Sequence, residues 1–479
     1  MRVESVRFAV VGGGITGLAA AHRICELAAQ RGEQPSVLVL EASDRAGGLI
    51  RTERLDGMLL EAGADSFLVA KPGAAELCER LGLGADLVRI DPAVGGTRIL
   101  VRGRLHEVPE GFLMMAPTRL WPMVRSSLFS PAAKLRMALE RFVPPSRAST
   151  DESLASFVTR RFGREALDRV AEPVLASLFM ADAEKLSMAA ALPRFVEMEQ
   201  AAGSVTRGLR RALASPGRPH GGAGFAYLPE GMGALVDRLV ARLPKRAVRT
   251  GARVGAVVPA GGCWRLSLDD EAVVAADAVV LACPAYAIAE ALERLDRVLA
   301  GELGRLTYSS CATVNLSYRA ADIPRGLPGL GFFVPRGEGS PVLAGSFASR
   351  KFPERALPGE ALIRCFLGGA LHPGLAERAS EELARLAGDQ LRRLLGIVGE
   401  PRRARTECFR RAMPQYEVGF PQRARFLATR LAAHRGVVLA GSAVGAVGLP
   451  DCIRSGERAA EQAFAQATEA SPPSVSARA

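Results

Sequence analysis

Aromatic side chains make up only 5% of the 479 residues, and the five histidines, His22, His106, His220, His372 and His434, stand far apart. A stacking platform for single strands, an aromatic cage and a histidine-centred catalytic or metal cluster are therefore not expected. The eight cysteines, Cys25, Cys78, Cys263, Cys283, Cys311, Cys365, Cys408 and Cys452, form no Cys-x-x-Cys pair and no cluster with histidine. They read as buried thiols of a reducing, cytoplasmic compartment, with no metal site. No run is apolar and uncharged for long enough to span a bilayer. No signal peptide is expected, because Arg2, Glu4 and Arg7 lead into an apolar run that passes directly into glycines. Positive charge is abundant, net +12 with pI near 9.8, yet the arginines are scattered without a concentrated basic run. That spread argues against nucleic acid and for an anionic small molecule or an anionic membrane surface. With 48% hydrophobic and 23% charged residues, a chain this long should fold into two or three lobes. Disorder is expected only at the ends, above all over 467–479.

What the sequence does contain begins at once. Phe8-Ala9-Val10-Val11 enters Gly12-Gly13-Gly14-Ile15-Thr16-Gly17, an alanine-rich helical pattern follows, and Val37-Leu38-Val39-Leu40 ends in Glu41. Strand, Gly-x-Gly-x-x-Gly turn, helix, strand and acid in that order describe a dinucleotide-binding βαβ unit. Gly12 serves the tight turn, Gly14 lets backbone N–H groups approach a pyrophosphate, and Gly17 permits close helix packing. Glu41 would accept hydrogen bonds from ribose hydroxyls. A second nucleotide-facing turn is read near the other end, where Val437-Val438-Leu439-Ala440 runs into Gly441-Ser442, and Gly448-Leu449 opens a helix through Cys452 and Ile453.

Several segments then sharpen the dinucleotide to FAD by resemblance. Arg45-Ala46-Gly47-Gly48 resembles the Arg-x-Gly-Gly element of flavoproteins related to amine oxidases and porphyrinogen oxidases, where the arginine and the glycine backbone touch phosphate and flavin. Leu60 to Leu68, with Gly63, Ala64, Asp65 and Ser66, is similar to the stretch leading from flavin into the substrate cavity of the porphyrinogen oxidase branch. Met413-Pro414-Gln415-Tyr416 and Gly441 to Gly456 resemble the carboxy-terminal FAD signature of its bacterial members. Val254 matches the position whose backbone reaches adenine. Glu172 to Ser187 resembles a family stretch that approaches the macrocycle, but glycines usual near Leu178 and at Ala181 are missing, which adds Cβ atoms where backbone comes close. Residues 97–109 alternate as a hairpin turning at Gly103, and the resemblance offers Arg98 as a clamp for a substrate propionate, a solvated surface arginine being the alternative.

The expected fold is α/β: a discontinuous Rossmann-like FAD-binding domain (1–75, 228–290 and 420–479), a mixed α+β substrate domain (76–110 and 291–419) and a helical insertion (111–227). Within the insertion, Gly111 to Phe129 either lies in a membrane interface or packs on its own domain. An exposed loop is expected over 207–224, and 276–284 reads as a buried parallel strand. The resemblance implies an FAD-dependent, oxygen-linked oxidation of coproporphyrinogen III or protoporphyrinogen IX by six electrons in haem biosynthesis, with hydride passing to the flavin and oxygen leaving as peroxide. No residue is singled out as the catalytic base. Peripheral membrane contact and a homodimer are open partner readings. An amine- or carotenoid-type flavin oxidoreductase and a non-catalytic partner protein on the same fold stand as alternatives.

Overall fold

The apolar run before the glycine turn forms the buried end of strand Val3–Val11, at the centre of a seven-stranded sheet. This is a computed structural model that describes residues 3–146, 151–214 and 224–469. The strands run in the order Val248–Arg249, Val37–Leu40, Val3–Val11, Val273–Leu281, Cys263–Leu268, Val254–Ala260. The first four are parallel and the last two fold back antiparallel. Val273–Leu281 is a fork: Val273 to Ala276 pairs with Cys263–Leu268, whereas Val279 to Leu281 pairs in parallel with Val437–Leu439. The strand expected at 276–284 is thus buried and parallel to Val3–Val11, with one edge antiparallel over its first half. Alternation along the central strands sends Phe8, Val10 and Val39 to one face, against helices Ile15–Gln30, Gly233–Arg242 and Leu449–Glu469. Ala9, Val11 and Leu38 face the opposite layer, with Ala285, Ile288 and Leu292 of helix Ala285–Leu292. Three helices on one face of a mostly parallel sheet and one on the other give the expected Rossmann-like layering.

A second seven-stranded sheet has the order Arg403–Pro414, Tyr308–Arg319, Glu360–Gly368, Val342–Ser346, Gly331–Phe333, Thr97–Val101, Arg104–Glu107. Only Thr97–Val101 with Gly331–Phe333 is parallel. The expected hairpin is present, its turn made by Arg102 and Gly103 at φ 51° and 73°. Successive left-handed residues match the right-handed twist of the flanking strands. On one face Val314, Leu316, Ile363, Cys365, Leu100 and Phe332 pack under helix Ser380–Leu395. The other face carries Cys311, Thr313, Asn315, Arg364 and Phe366, and it looks toward the first sheet and the helices.

Those helices occupy residues 120–142 and 154–214. A wide turn at Leu167–Ala171 interrupts them. Arg161 is wholly buried among them, its guanidinium held by Glu140 and by the carbonyl of Val143 at 2.8 Å. Two expectations are corrected here. Residues 207–214 are not loop but continue helix Val205–Ala214, while 215–223 lie outside the described residues. Ala467 is buried within the last helix instead of starting a disordered tail, because its methyl joins the Phe464 cluster; 470–479 lie outside the described residues.

Candidate cofactor site

The opening turn closes on itself through contacts that only glycine allows. A Cβ on Gly17 would lie 1.9 Å from the carbonyl oxygen of Gly12, and one on Gly12, at φ 106°, would meet the backbone nitrogen of Cys283 at 2.9 Å. The N–H of Gly12 donates to Leu40 O at 2.8 Å, fastening the turn to the next strand. Glu41 then reaches back: its Oε2 accepts from Gly13 N at 2.6 Å, and its Oε1 accepts from Ser43 N and Ser43 Oγ at 2.8 and 2.7 Å. The chain at 249–252 lies alongside, with Glu41 N donating to Arg249 O and Ala252 N to Glu41 O. Val254, just beyond, is buried at the start of its strand.

The Gly47-Gly48 turn is laid against this one. Gly47 N donates to Gly13 O at 2.8 Å, and a Cβ on Gly48 would sit 3.1 Å from the Gly14 Cα. Arg45 does not reach out from this turn as expected. Its guanidinium donates to Ala46 O, Gly48 O and Ile50 O, because the turn leaves those carbonyls without strand partners, so Arg45 shapes the glycine backbone. The carboxy-terminal segment closes the ring. A Cβ on Gly441 would meet the Thr16 side chain at 3.2 Å, one on Gly456 would sit 2.1 Å from Thr16 O, and Gly441 N donates to Ser455 Oγ. Gly448, Leu449, Cys452 and Ile453 begin the helix behind it; Cys452 N donates to Gly448 O, and burial pushes the Cys452 thiol up to about 11. Ser442 ties this loop to the second sheet: its Oγ bonds the Tyr308 hydroxyl at 2.9 Å, and its carbonyl accepts from the Tyr416 hydroxyl at 2.8 Å.

Gly12, Gly14, Gly17, Glu41, Gly47, Gly48 and Gly441 are therefore brought together around one helix N-terminus, whose peptide N–H groups favour an anionic pyrophosphate. The surfaces a Cβ would fill are backbone on backbone, which suits the extended diphosphate chain of FAD.

Gly63, Ala64, Asp65 and Ser66 lie between this cradle and the second sheet. A Cβ on Gly63 would fall 1.7 Å from Leu49 O. The Asp65 carboxylate accepts from Ser66 Oγ at 2.7 Å and lies 3.6 Å from the Arg364 guanidinium. Burial would raise its pKa, but Lys351 and Arg364 hold it below the ordinary carboxylate value. Next to it, burial pushes Glu61 up to about 6, against Arg355, the Met232 N–H and the Thr52 hydroxyl.

Arg98 is not brought to this place. It is the cross-strand partner of Phe332, so its side chain lies on the same sheet face as Leu100 and Phe332, where its Nε donates to Pro328 O at 3.3 Å. A single position separates the two faces of a strand, and Ile99, its neighbour, is the residue that points inward. The left-handed residue of the turn at Ala181 is Met180, at φ 50°, so the Ala181 Cβ costs no backbone strain. The turn is pinned to the second sheet by Ser309 Oγ and Ala370 N donating to Met180 O. Residues missed from the sequence are Thr313, Asn315 and Arg364, polar side chains inside otherwise apolar strands; that interruption was their only signal.

A Rossmann-like sheet with a two-turn diphosphate cradle facing a mixed sheet defines a flavin-dependent oxidoreductase of the amine oxidase type. The chain belongs to the flavin containing amine oxidoreductase family, whose pattern matches residues 15–463. It is 32% identical to the coproporphyrinogen III oxidase of Bacillus subtilis (strain 168), over 95% of this chain and 97% of that one. Protoporphyrinogen oxidase 1, chloroplastic, of Spinacia oleracea is 30% identical, over 94% of this chain and 83% of its own. A reduced UDP-galactopyranose mutase superposes with TM-score 0.72 at 14% identity, covering 97% of this chain and 94% of its own, which shows the fold alone. The protein is an FAD-dependent oxidoreductase.

Proposed function

We propose that the chain oxidises a porphyrinogen to the porphyrin, with coproporphyrinogen III preferred over protoporphyrinogen IX and dioxygen as acceptor. The observation that carries this is full-length similarity to the coproporphyrinogen III oxidase of Bacillus subtilis. When bound, FAD supplies acceptance of hydride. The described residues of 1–75, 228–290 and 420–479 make up the cofactor unit, and 76–110 with 291–419 the substrate unit. FAD is held by the backbone of Gly12, Gly14, Gly17, Gly47, Gly48, Gly63, Ala64, Gly441 and Gly448, with Glu41 toward the ribose and Val254 toward adenine; Asp65, Ser66, Ser442, Leu449, Cys452 and Ile453 complete its surroundings. Substrate is received on the apolar end of the inward sheet face, where Cys311, Leu343, Phe366, Phe409 and Met413 gather with Met180. Such a surface excludes water from the reacting carbons and offers a flat macrocycle apolar contact. The test is to add each porphyrinogen to purified FAD-loaded protein and follow porphyrin fluorescence and oxygen uptake. Oxidation of a polyamine but of neither porphyrinogen would overturn the reading, and faster turnover of protoporphyrinogen would reverse the preference.

The insertion 111–227 supports a second element of the proposal, a peripheral contact with an anionic membrane. Gly111 to Phe129 packs partly on its own domain, with Phe112, Met115, Met123, Leu128 and Phe129 buried in the core, and leaves Leu120, Trp121 and Val124 exposed. Leu135, Leu139 and Phe142 extend the exposed set on the adjoining helix, which is joined by Lys134 Nζ donating to Val124 O. Large apolar groups rimmed by Arg119, Arg125, Lys134 and Arg141 suit an interface of lipid headgroups. Among the described residues no helix is long and apolar enough to cross a membrane. Sedimentation with anionic but not zwitterionic vesicles, lost in W121S/F142S, is the expected result; equal recovery of both proteins in the supernatant would count against it.

A further inference from the structure

Three consecutive carbonyls, those of Glu61, Ala62 and Gly63, are turned onto the inward face of the second sheet. Asn315 Nδ2 donates to Glu61 O at 3.1 Å and Thr313 Oγ1 to Ala62 O at 3.0 Å. Arg364 Nη2 donates to both Ala62 O, at 2.6 Å, and Gly63 O. In a trans peptide the N–H points opposite to the C=O of the same plane. Gripping the carbonyls of Ala62 and Gly63 therefore turns the N–H groups of Gly63 and Ala64 away from the sheet, and neither donates to an acceptor among the described residues. Two adjacent free donors in the stretch between the cradle and the second sheet call for a ligand.

Arg364 is placed to hold this arrangement firmly. Only 4% of it is exposed, Asp65 balances its charge, and its guanidinium packs 4.7 Å from the centre of the Phe366 ring. Its Nε has no partner, nor has the Oγ of Ser346, the residue opposite it on the neighbouring strand. Leu49 O prevents the chain from shifting away, since even a methyl on Gly63 would collide with it.

We propose that Arg364 is a positioning residue that fixes the Gly63 and Ala64 N–H groups as hydrogen-bond donors to the flavin, stabilising the electron-rich reduced cofactor. The proposal rests on FAD occupying the cradle described above. Donors held in place before the reaction are worth more than donors that must reorganise, and loss of one such donor typically lowers turnover by about 10²–10³-fold. The experiment compares wild-type, R364K and R364M holoenzymes by FAD stoichiometry, visible flavin spectrum and midpoint potential. Both variants are expected to retain FAD through the glycine cradle. R364M should show an altered flavin spectrum, a more negative potential and kcat lowered by about tenfold or more. R364K, which keeps the charge without the planar fork, should fall between. Flavin-loaded R364M with wild-type spectrum and potential would overturn the proposal while leaving the FAD site intact. Wild-type protein that takes up no FAD would instead overturn the reading beneath it. Should R364M fail to fold, R364K decides alone, an unchanged potential counting against the role.

Discussion

At the scale of single residues, the cofactor site is made by absent side chains. Gly17 has no positive φ, so glycine is demanded there by the carbonyl of Gly12 rather than by backbone conformation. Gly17→Ala must push the first helix off the turn, and the purified variant is expected to lack flavin absorbance and to melt several degrees lower. Normal flavin content in that variant would contradict the cradle. Glu172 makes a different prediction. Its Oε1 is buried without a partner, and burial pushes its carboxyl up to about 7, opposed by the N–H and charge of Arg336 and assisted by Asp168 and Asp182. Between its ordinary value of 4.5 and 7, the folded chain holds a proton that the unfolded chain has lost. Stability therefore falls as pH rises through that window. Glu172→Gln should flatten the decline of Tm between pH 5 and 8, by an amount equivalent to roughly 2–3 kcal/mol at the upper end. Parallel Tm curves for the two proteins would show that Glu172 does not titrate in this way.

At the scale of elements, the site is assembled where two sheets are stitched together. Tyr416, at the end of strand Arg403–Pro414, donates through one hydroxyl to Ser442 O at 2.8 Å and Ala446 O at 3.3 Å, while Tyr308 from the adjoining strand bonds Ser442 Oγ. Tyr416→Phe leaves two carbonyls of the flavin loop without that donor, at a cost of about 1–3 kcal/mol. Weaker FAD retention in a dilution assay is expected, with little change in secondary structure by circular dichroism; unchanged retention would mean that the loop holds its shape alone. Much at this scale was legible in advance. The hairpin read over 97–109 announced itself by alternation around Gly103. Arg98 was not legible, because the sheet face depends on register, and register is set by distant partners such as Phe332. Nor were Thr313, Asn315 and Arg364, whose carbonyl acceptors lie some 250 to 300 residues away in sequence. Local pattern carries no information about such pairings.

At the scale of the whole molecule, the cofactor unit depends on both ends of the chain. The opening βαβ unit was plain in the sequence, yet it is unfinished by itself. Val437–Leu439 supplies the strand beside Val279–Leu281, and Gly441 and Gly456 close on Thr16 of the first helix. The last helix covers Phe8 with Phe464, the rings stacked at 5.3 Å, and buries Ala459, Ala460 and Ala463 against the same layer. Removing everything after Arg435 would strip one side of Leu281, expose the apolar face of helix Ile15–Gln30 and delete the turn that closes on Thr16. Surface of that extent cannot be left open in a marginally stable fold. A chain ending at Arg435 is expected to bind no FAD, even if its second sheet and its helix Ser380–Leu395 still form, since the cluster around Val314, Ile363 and Leu391 draws no residue from the deleted segment. Flavin absorbance after reconstitution and gel filtration provides the measurement. A truncated protein carrying one FAD per chain would mean that the amino-terminal turn binds the dinucleotide without its carboxy-terminal partner, and the ring of contacts around Thr16 would lose its assigned purpose.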